Sequence, residues 1–230
     1  MTSSTQEQTE IKTRSWLSWL VAIMVPIMLI LTSVRLLMTP VFVQLEYRTP
    51  NFPPDPYGFT RQDRLHWSLI SLDYLLNDED ISFLGDLRFD DGRQVYNERE
   101  LGHMVDVKNV LQVALIVWYV SIVGVPLLGL WAWWGRWWKD YKEGLSKGGW
   151  LTILIVAVTL VAVLIGFSVF FVFFHQVFFE SGTWVFRFSD TLIRLFPERF
   201  WRDAFLAIGL LSLAGGFALA LGFRQKKSSA

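Results

Sequence analysis

From Trp150 to Phe174 the chain carries no charged side chain. A helix rises about 1.5 Å per residue, so a run of this length crosses the roughly 30 Å hydrocarbon core of a bilayer. Within that core every backbone N–H and C=O must find its partner inside the protein. Only helices and closed barrels meet that demand, and an uninterrupted apolar run of this kind reads as a helix. Three further runs behave alike, giving spans at about residues 16–34, 110–135, 150–174 and 204–223. Hydrophobic residues make up 53% of the 230, a composition that suits helices facing lipid. The fold class is therefore an all-α membrane protein, a single integral domain over residues 1–230 with four transmembrane helices and a small extracytoplasmic cap. The first span is longer than a signal-peptide core and no Ala-x-Ala site follows it, so it reads as a retained helix. Pro26 and Pro126 lie inside spans and are expected to bend them, with neighbouring helices satisfying the freed carbonyls.

Orientation follows from the basic residues. Arg136, Lys139, Lys142 and Lys147 lie between the second and third spans, Arg224, Lys226 and Lys227 at the C-terminus, and Lys12 and Arg14 at the N-terminus. All three clusters fall on one side, which the positive-inside rule makes cytoplasmic. Tryptophans at 131, 133, 134, 137 and 138 mark that interface. Both termini are then inside, and residues 39–109 and 175–203 are extracytoplasmic.

The composition also excludes. The net charge is zero, which argues against nucleic acid as a partner and leaves membrane lipids as the natural surroundings. There is no cysteine, so disulfides, thiolate metal sites, a cysteine nucleophile and an N-terminal lipid-anchoring cysteine are all ruled out. His-Glu-x-x-His, Gly-x-Ser-x-Gly and a phosphate loop are absent.

In the longer outer segment, Thr49 to Pro56 is proline-rich and extended. Thr60 to Leu76 reads as a helix, capped by Thr60 with Asp63 three residues on. Leu65, Leu69, Leu72 and Leu76 form its apolar stripe. Asp90-Asp91-Gly92-Arg93 reads as the turn of a short hairpin pairing Leu87–Phe89 with Gln94–Tyr96, and from Glu98 a helix runs into the second span. In the shorter outer segment, Ser189 or Asp190 caps a helix from Thr191 to Phe196, ended by Pro197. Trp184, Phe186, Phe188, Phe196, Phe200 and Trp201 alternate with Arg187, Arg194, Arg199 and Arg202, a pattern that suits anchoring among lipid headgroups.

His175 stands at the mouth of the third span and His103 just before the second. Ionisable groups at a membrane boundary are costly and tend to be functional. If those spans pack side by side, the two imidazoles meet at one depth, and imidazole exchanges protons near neutral pH. Glu100, His103 and Asp106 follow at helical spacing. Either a carboxylate orients the imidazole and fixes its tautomer, or the acids merely favour a helix start. His103, His175 and one carboxylate could also hold a catalytic zinc, whereas a di-iron site would need a second Glu-x-x-His that the chain lacks. Arg35, at the end of the first span, either snorkels to the headgroups or holds a lipid phosphate or ester oxygen. His66 reads as a surface or packing residue.

Three blocks carry a resemblance. They are Tyr96-Asn97-x-Arg99-Glu100-x-x-His103-Met104-x-Asp106-Val107-Lys108 before the second span, Phe174-His175-x-x-Phe178-Phe179 after the third, and Leu195-Phe196-Pro197-Glu198-x-Phe200-Trp201-x-Asp203 before the fourth. Together they resemble the bacterial four-helix integral membrane family that includes the lipoprotein intramolecular transacylase, Lit. The resemblance implies a plasma-membrane enzyme with an outward-facing active site and no cofactor. Its substrate would be a diacylated lipoprotein, whose sn-2 acyl chain moves from the diacylglyceryl group to the α-amine of the lipidated cysteine. The implied catalytic pair falls on His103 and His175. Around the pair, Glu100, Asp106, Tyr96 and Glu180 are candidate orienting groups, and Arg35, Lys108 and Arg194 candidates for holding substrate or headgroups. Two other functions fit the same residues: a non-enzymatic membrane protein that binds a lipid or lipopeptide, and a zinc-dependent membrane hydrolase.

Overall fold

The computed structural model describes residues 2–224, with side chains from Trp16 onward. The side chains of Lys12, Arg14, Lys226 and Lys227, used above for orientation, lie outside those described. The helices in chain order are α1 (Thr2–Leu37), α2 (Pro40–Glu46), α3 (Arg61–Leu76), α4 (Ser82–Gly85), α5 (Glu98–Trp134), α6 (Trp138–Phe178), α7 (Thr191–Leu195) and α8 (Glu198–Gly222). Among the described residues four are long and apolar enough to cross a membrane: Trp16–Leu37 of α1, and α5, α6 and α8. As expected, α5 runs unbroken from the outer segment into the second span.

The chain divides into two compact units that interleave along the sequence. The first comprises residues 1–34, 115–161 and 207–230, the second residues 35–114 and 162–206.

In the first unit, glycines let helices approach closely. A Cβ on Gly144 would lie 2.7 Å from the Ser18 carbonyl, one on Gly148 2.5 Å from the Val25 Cβ, and one on Gly149 2.5 Å from the Ala220 amide nitrogen. Lipid supplies no hydrophobic drive between helices, so close packing of this kind, with interhelical hydrogen bonds, holds them. Trp118 Nε1 donates to Thr32 Oγ1 at 3.0 Å, Ser146 Oγ to the Ala220 carbonyl at 2.9 Å, and Ser212 Oγ to Ser33 Oγ at 3.0 Å. The core gathers Leu17, Val21, Val25, Val125, Ala132, Trp137, Tyr141 and Leu145. Helices α1 and α5 continue through Pro26 and Pro126, and the Tyr141 hydroxyl bonds the carbonyl of Val125 beside the second proline.

The second unit holds the shorter elements. Thr60 caps α3 through the Asp63 amide and Asp63 bonds back to the Thr60 amide, completing the capping box. The most buried face of α3 is Arg64, Ser68, Ser71 and Tyr74. Leu65, Leu69 and Leu72 pack against Val43, Tyr47 and Phe200, but Leu76, the last member of the expected stripe, is exposed. A second core joins Tyr74, Leu84, Val95, Tyr96, Met104, Leu192 and Leu195. The hairpin contracts to one antiparallel bridge, Arg88 with Gln94, around a turn in which Gly92 takes a φ of 83° that suits glycine.

Two expectations are corrected here. The Asp190 carboxylate does not cap α7; it accepts from the Arg187 amide at 2.8 Å. The third span is also not one continuous helix, because Gly166 leaves the helical region, with φ −162° and ψ 78°. Glycine carries the largest entropic cost of helix formation, so an interruption costs least there.

Candidate active site

His103 sits in the second turn of α5 and His175 in the last turn of α6, and both belong to the second unit. Each is only 8% exposed. Their rings face one another, with centroids 6.0 Å apart and planes 25° from parallel. Phe179 touches both, at 4.9 Å from His103 and 5.5 Å from His175. Phe171 and Phe174 flank His175 at 4.1 and 5.7 Å. Phenylalanine offers no hydrogen bond, so these walls exclude water without competing for the imidazoles.

The two histidines differ in their bonding. Nδ1 of His175 lies 2.8 Å from the Phe171 carbonyl, one turn back on its own helix. A carbonyl only accepts, so this nitrogen carries the proton, and Nε2 of the neutral ring is left with the lone pair. In His103, Nδ1 is buried and has no partner among the described residues.

The segment after α6 covers the pair. Thr183 turns back on the Glu180 carbonyl, with Gly182 at a φ of 90°, where a side chain would be strained. Trp184 then lies over His175 at 4.8 Å and Phe186 over His103 at 5.4 Å. Between them the Val185 carbonyl accepts from Arg99 of α5 at 3.1 Å. Sequence reasoning assigns Trp184 and Phe186 to headgroup anchoring. Their spacing carries no signal for this contact, because Trp184 lies in the turn after α6 and Phe186 in the irregular chain that follows it.

The supporting candidates are placed as follows. Glu100 is fully buried, one turn before His103, but its carboxylate serves backbone groups. Oε2 accepts from the Asn97 amide at 2.8 Å, closing the start of α5, and Oε1 from the Leu192 amide at 2.6 Å, closing the start of α7. Asp106 is half-buried and forms no side-chain hydrogen bond with a described residue. Tyr96 is buried in the second core, its hydroxyl 2.7 Å from Ser71 Oγ, and Glu180 is exposed. Among the described residues, therefore, no carboxylate bonds either imidazole.

The cationic candidates are also engaged. Arg35 reaches the Met38 carbonyl at 3.3 Å. Lys108 is buried, with Nζ 2.5 Å from the Glu79 carbonyl, 3.3 Å from Asn77 Oδ1 and 4.1 Å from the centre of the Tyr74 ring. Arg194 pairs with Asp55 at 2.8 Å and lies over Phe59. Burial pushes the Asp55 carboxyl up, yet Arg194 and the Phe59 amide outweigh it and hold it below the usual carboxylate range. Lys108 and Arg194 thus tie the loops of the second unit together. His66 is exposed and rests edge-on against Trp67. Among the described residues no three His, Asp or Glu side chains gather as a metal site would require, which removes the zinc reading's ligand set.

With this geometry in place, the relatives are informative. A protein of Aquifex aeolicus (strain VF5), itself uncharacterized, is 29% identical over 222 residues, covering 93% of this chain and 96% of its own. The fold matches the membrane integral lipoprotein intramolecular transacylase Lit from Bacillus cereus with a TM-score of 0.76 at 22% identity, over 93% of this chain and 95% of that one. A variant of that protein with one histidine replaced by alanine gives a TM-score of 0.71 at 21% identity, over 95% and 96% of the two chains. The sequence profile of the lipoprotein intramolecular transacylase Lit matches residues 19–201, a stretch that takes in both histidines and the aromatic strap over them. The chain is a membrane-integral member of the lipoprotein intramolecular transacylase (Lit) family.

Proposed function

We propose that this protein transfers the sn-2 acyl chain of a lipoprotein's diacylglyceryl-cysteine to the α-amine of that cysteine, giving the lyso-form lipoprotein. The observation that carries the reading is the facing histidine pair walled by aromatic rings in a chain of the Lit family. His175 is the base. The Phe171 carbonyl fixes its tautomer, leaving Nε2 to take a proton from the attacking amine. The amine nitrogen bonds the ester carbonyl carbon, and the bond from that carbon to the glyceryl oxygen breaks. The proton removed from nitrogen ends on the leaving alkoxide, so the products are an amide and a secondary hydroxyl. His103 faces the same reacting atoms and serves as the donor that delivers the proton or steadies the oxyanion. Amine and ester belong to one substrate molecule, so holding them in line supplies much of the rate. The phenylalanine walls keep out the water that would hydrolyse the ester instead.

Both termini are cytoplasmic in this reading and the histidines face outward, the side on which lipidated N-termini are displayed. A cysteine replacing exposed Asp90 should react with an impermeant thiol reagent in whole cells, and one replacing exposed Arg136 should not. The opposite pattern would place the site in the wrong compartment. The direct test is mass spectrometry of lipoprotein N-terminal peptides from cells with and without this chain. Conversion of diacyl to lyso-form peptides should require it. Identical peptide masses in both would leave only lipid or lipopeptide binding.

A further inference from the structure

Trp184 carries a hydrogen-bond donor that the fold does not use. Its indole Nε1 is buried and has no partner among the described residues. Indole N–H can only donate, so its partner must be an acceptor. A buried donor left unpaired forfeits its bond to water without replacing it, and such groups in folded proteins call for an explanation. Lipid tails cannot supply the missing acceptor.

The placement of this ring is built rather than incidental. The turn at Thr183 and Gly182 fixes its approach from α6, and Arg99 grips the next carbonyl, Val185, from α5. The ring is thereby set against His175 at 4.8 Å while Phe186, two residues on, is set against His103. The other rings touching the pair are phenylalanines, which offer no polar group. Apart from the imidazoles themselves, the Trp184 indole is thus the ring among these aromatic contacts that carries a hydrogen-bond donor.

We propose that the Trp184 N–H is a further catalytic group, donating a hydrogen bond to the carbonyl oxygen of the acyl group as it is transferred. The inference rests on the acyl-transfer reading of the histidine pair and adds a residue to it. When the amine adds to the ester, that oxygen gains negative charge, and a donor already in position needs no reorganisation to meet it. Such a donor leaves His103 free to pass the proton to the departing glyceryl oxygen. A purely structural or anchoring Trp184 would need only its ring.

Trp184→Phe separates the two roles, because it keeps an aromatic ring against His175 and removes the N–H. In single-turnover conversion of a diacylated lipopeptide by the detergent-solubilised full chain, the variant should be slower by on the order of 10²-fold. Its melting temperature and its affinity for the lipopeptide should change little. A second measurement needs neither turnover nor the variant's stability. A lipopeptide carrying a ¹³C label at the sn-2 ester carbonyl is bound to His175→Ala protein, and its infrared stretch should fall to lower wavenumber than in detergent alone. An unshifted ester band, or a Trp184→Phe rate equal to that of the unaltered protein, overturns the inference and leaves the histidine mechanism standing. If the unaltered protein converts no lipopeptide and shows no shifted band, the acyl-transfer reading and this inference fall together.

Discussion

The two units treat buried polarity in opposite ways. Among the described residues, the buried polar side chains of the first unit are serines and threonines: Ser18, Ser33, Ser121, Thr152 and Ser212. A hydroxyl on a helix can return its hydrogen to a carbonyl one turn back, as Ser33 does to Leu29 and Thr152 to Gly148. The second unit buries Glu46, Arg64, Glu100, His103, Lys108 and His175. Several of these are matched to backbone groups. Glu100 takes the Asn97 and Leu192 amides, Arg64 donates to the Pro53 carbonyl and Lys108 to that of Glu79. Continuous helices consume their own amides and carbonyls, so they have little to offer a charge. Loops and helix ends have such groups to spare, which is why ionisable side chains can be buried there.

The sharpest way to break this contrast is to remove the two imidazoles that the second unit buries. His103→Ala and His175→Ala should each reduce lipoprotein conversion by on the order of 10²-fold or more while the protein still inserts and purifies as a folded chain. If the pair acts as one unit, the double variant should be little slower than either single one. Near-normal conversion by both single variants would show that the imidazoles buried in the second unit serve stability alone.

The first unit should answer through folding rather than turnover. A Cβ on Gly149 would meet the Ala220 amide nitrogen at 2.5 Å and the Gly216 carbonyl at 2.6 Å, both rigid backbone. Gly149→Val should therefore destabilise by about 1–3 kcal/mol or more, seen as lower folded yield and melting temperature. Conversion per folded molecule should stay near normal. A stable but inactive Gly149→Val protein would contradict the division.

Glu100 tests the matching itself. Glu100→Gln keeps one acceptor and loses the other, so one of the two helix starts it closes must go without. The cost expected is about 1 kcal/mol, with turnover per folded molecule nearly unchanged. A large loss of turnover with unchanged melting would instead return Glu100 to the role of orienting His103.

The smallest effect expected is at Glu46. Its Oε1 is buried without a partner. Burial, with Asp203 beside it, pushes the carboxyl up to about 7, against the pull of Arg199 and Arg202. The folded chain thus holds this proton between about 4.5 and 7 while the unfolded chain releases it. Stability should fall as pH rises through that window and stay low above it. Glu46→Gln should flatten the decline and raise the melting temperature at pH 8 by about 2–4 °C. An unchanged pH profile in the variant would assign the decline to another group.

Much of the architecture was legible because its causes are local. Charge-free runs dictate helices wherever they occur, and the Thr60–Asp63 capping box lies within one turn. The histidine pair was legible through motif blocks at the mouths of two spans. The missed features depend on distant partners or on loop conformation. Nothing near Glu100 announces that its carboxylate will close a helix starting at Thr191, nor does Arg194 reveal Asp55. Trp184 and Phe186 sit in a segment without helical period, so their contact with the imidazoles could not be read from spacing against α5. Gly166 is one glycine in an otherwise helical run, where a break and an unbroken helix look alike in sequence.

That break has a geometric consequence for the chain's tolerance to length change. In an uninterrupted helix each added residue rotates everything beyond it by about 100°. A base at the end of such a helix would be swung off target by a single insertion anywhere upstream. The non-helical backbone at Gly166 supplies two torsions outside the ladder, where an angular offset can be absorbed before it reaches Phe171 and His175. The turns that carry His175 begin beyond that break. A residue inserted upstream of Gly166 should therefore disturb His175 less than one inserted between Gly166 and His175, as conversion by the two insertion variants would measure.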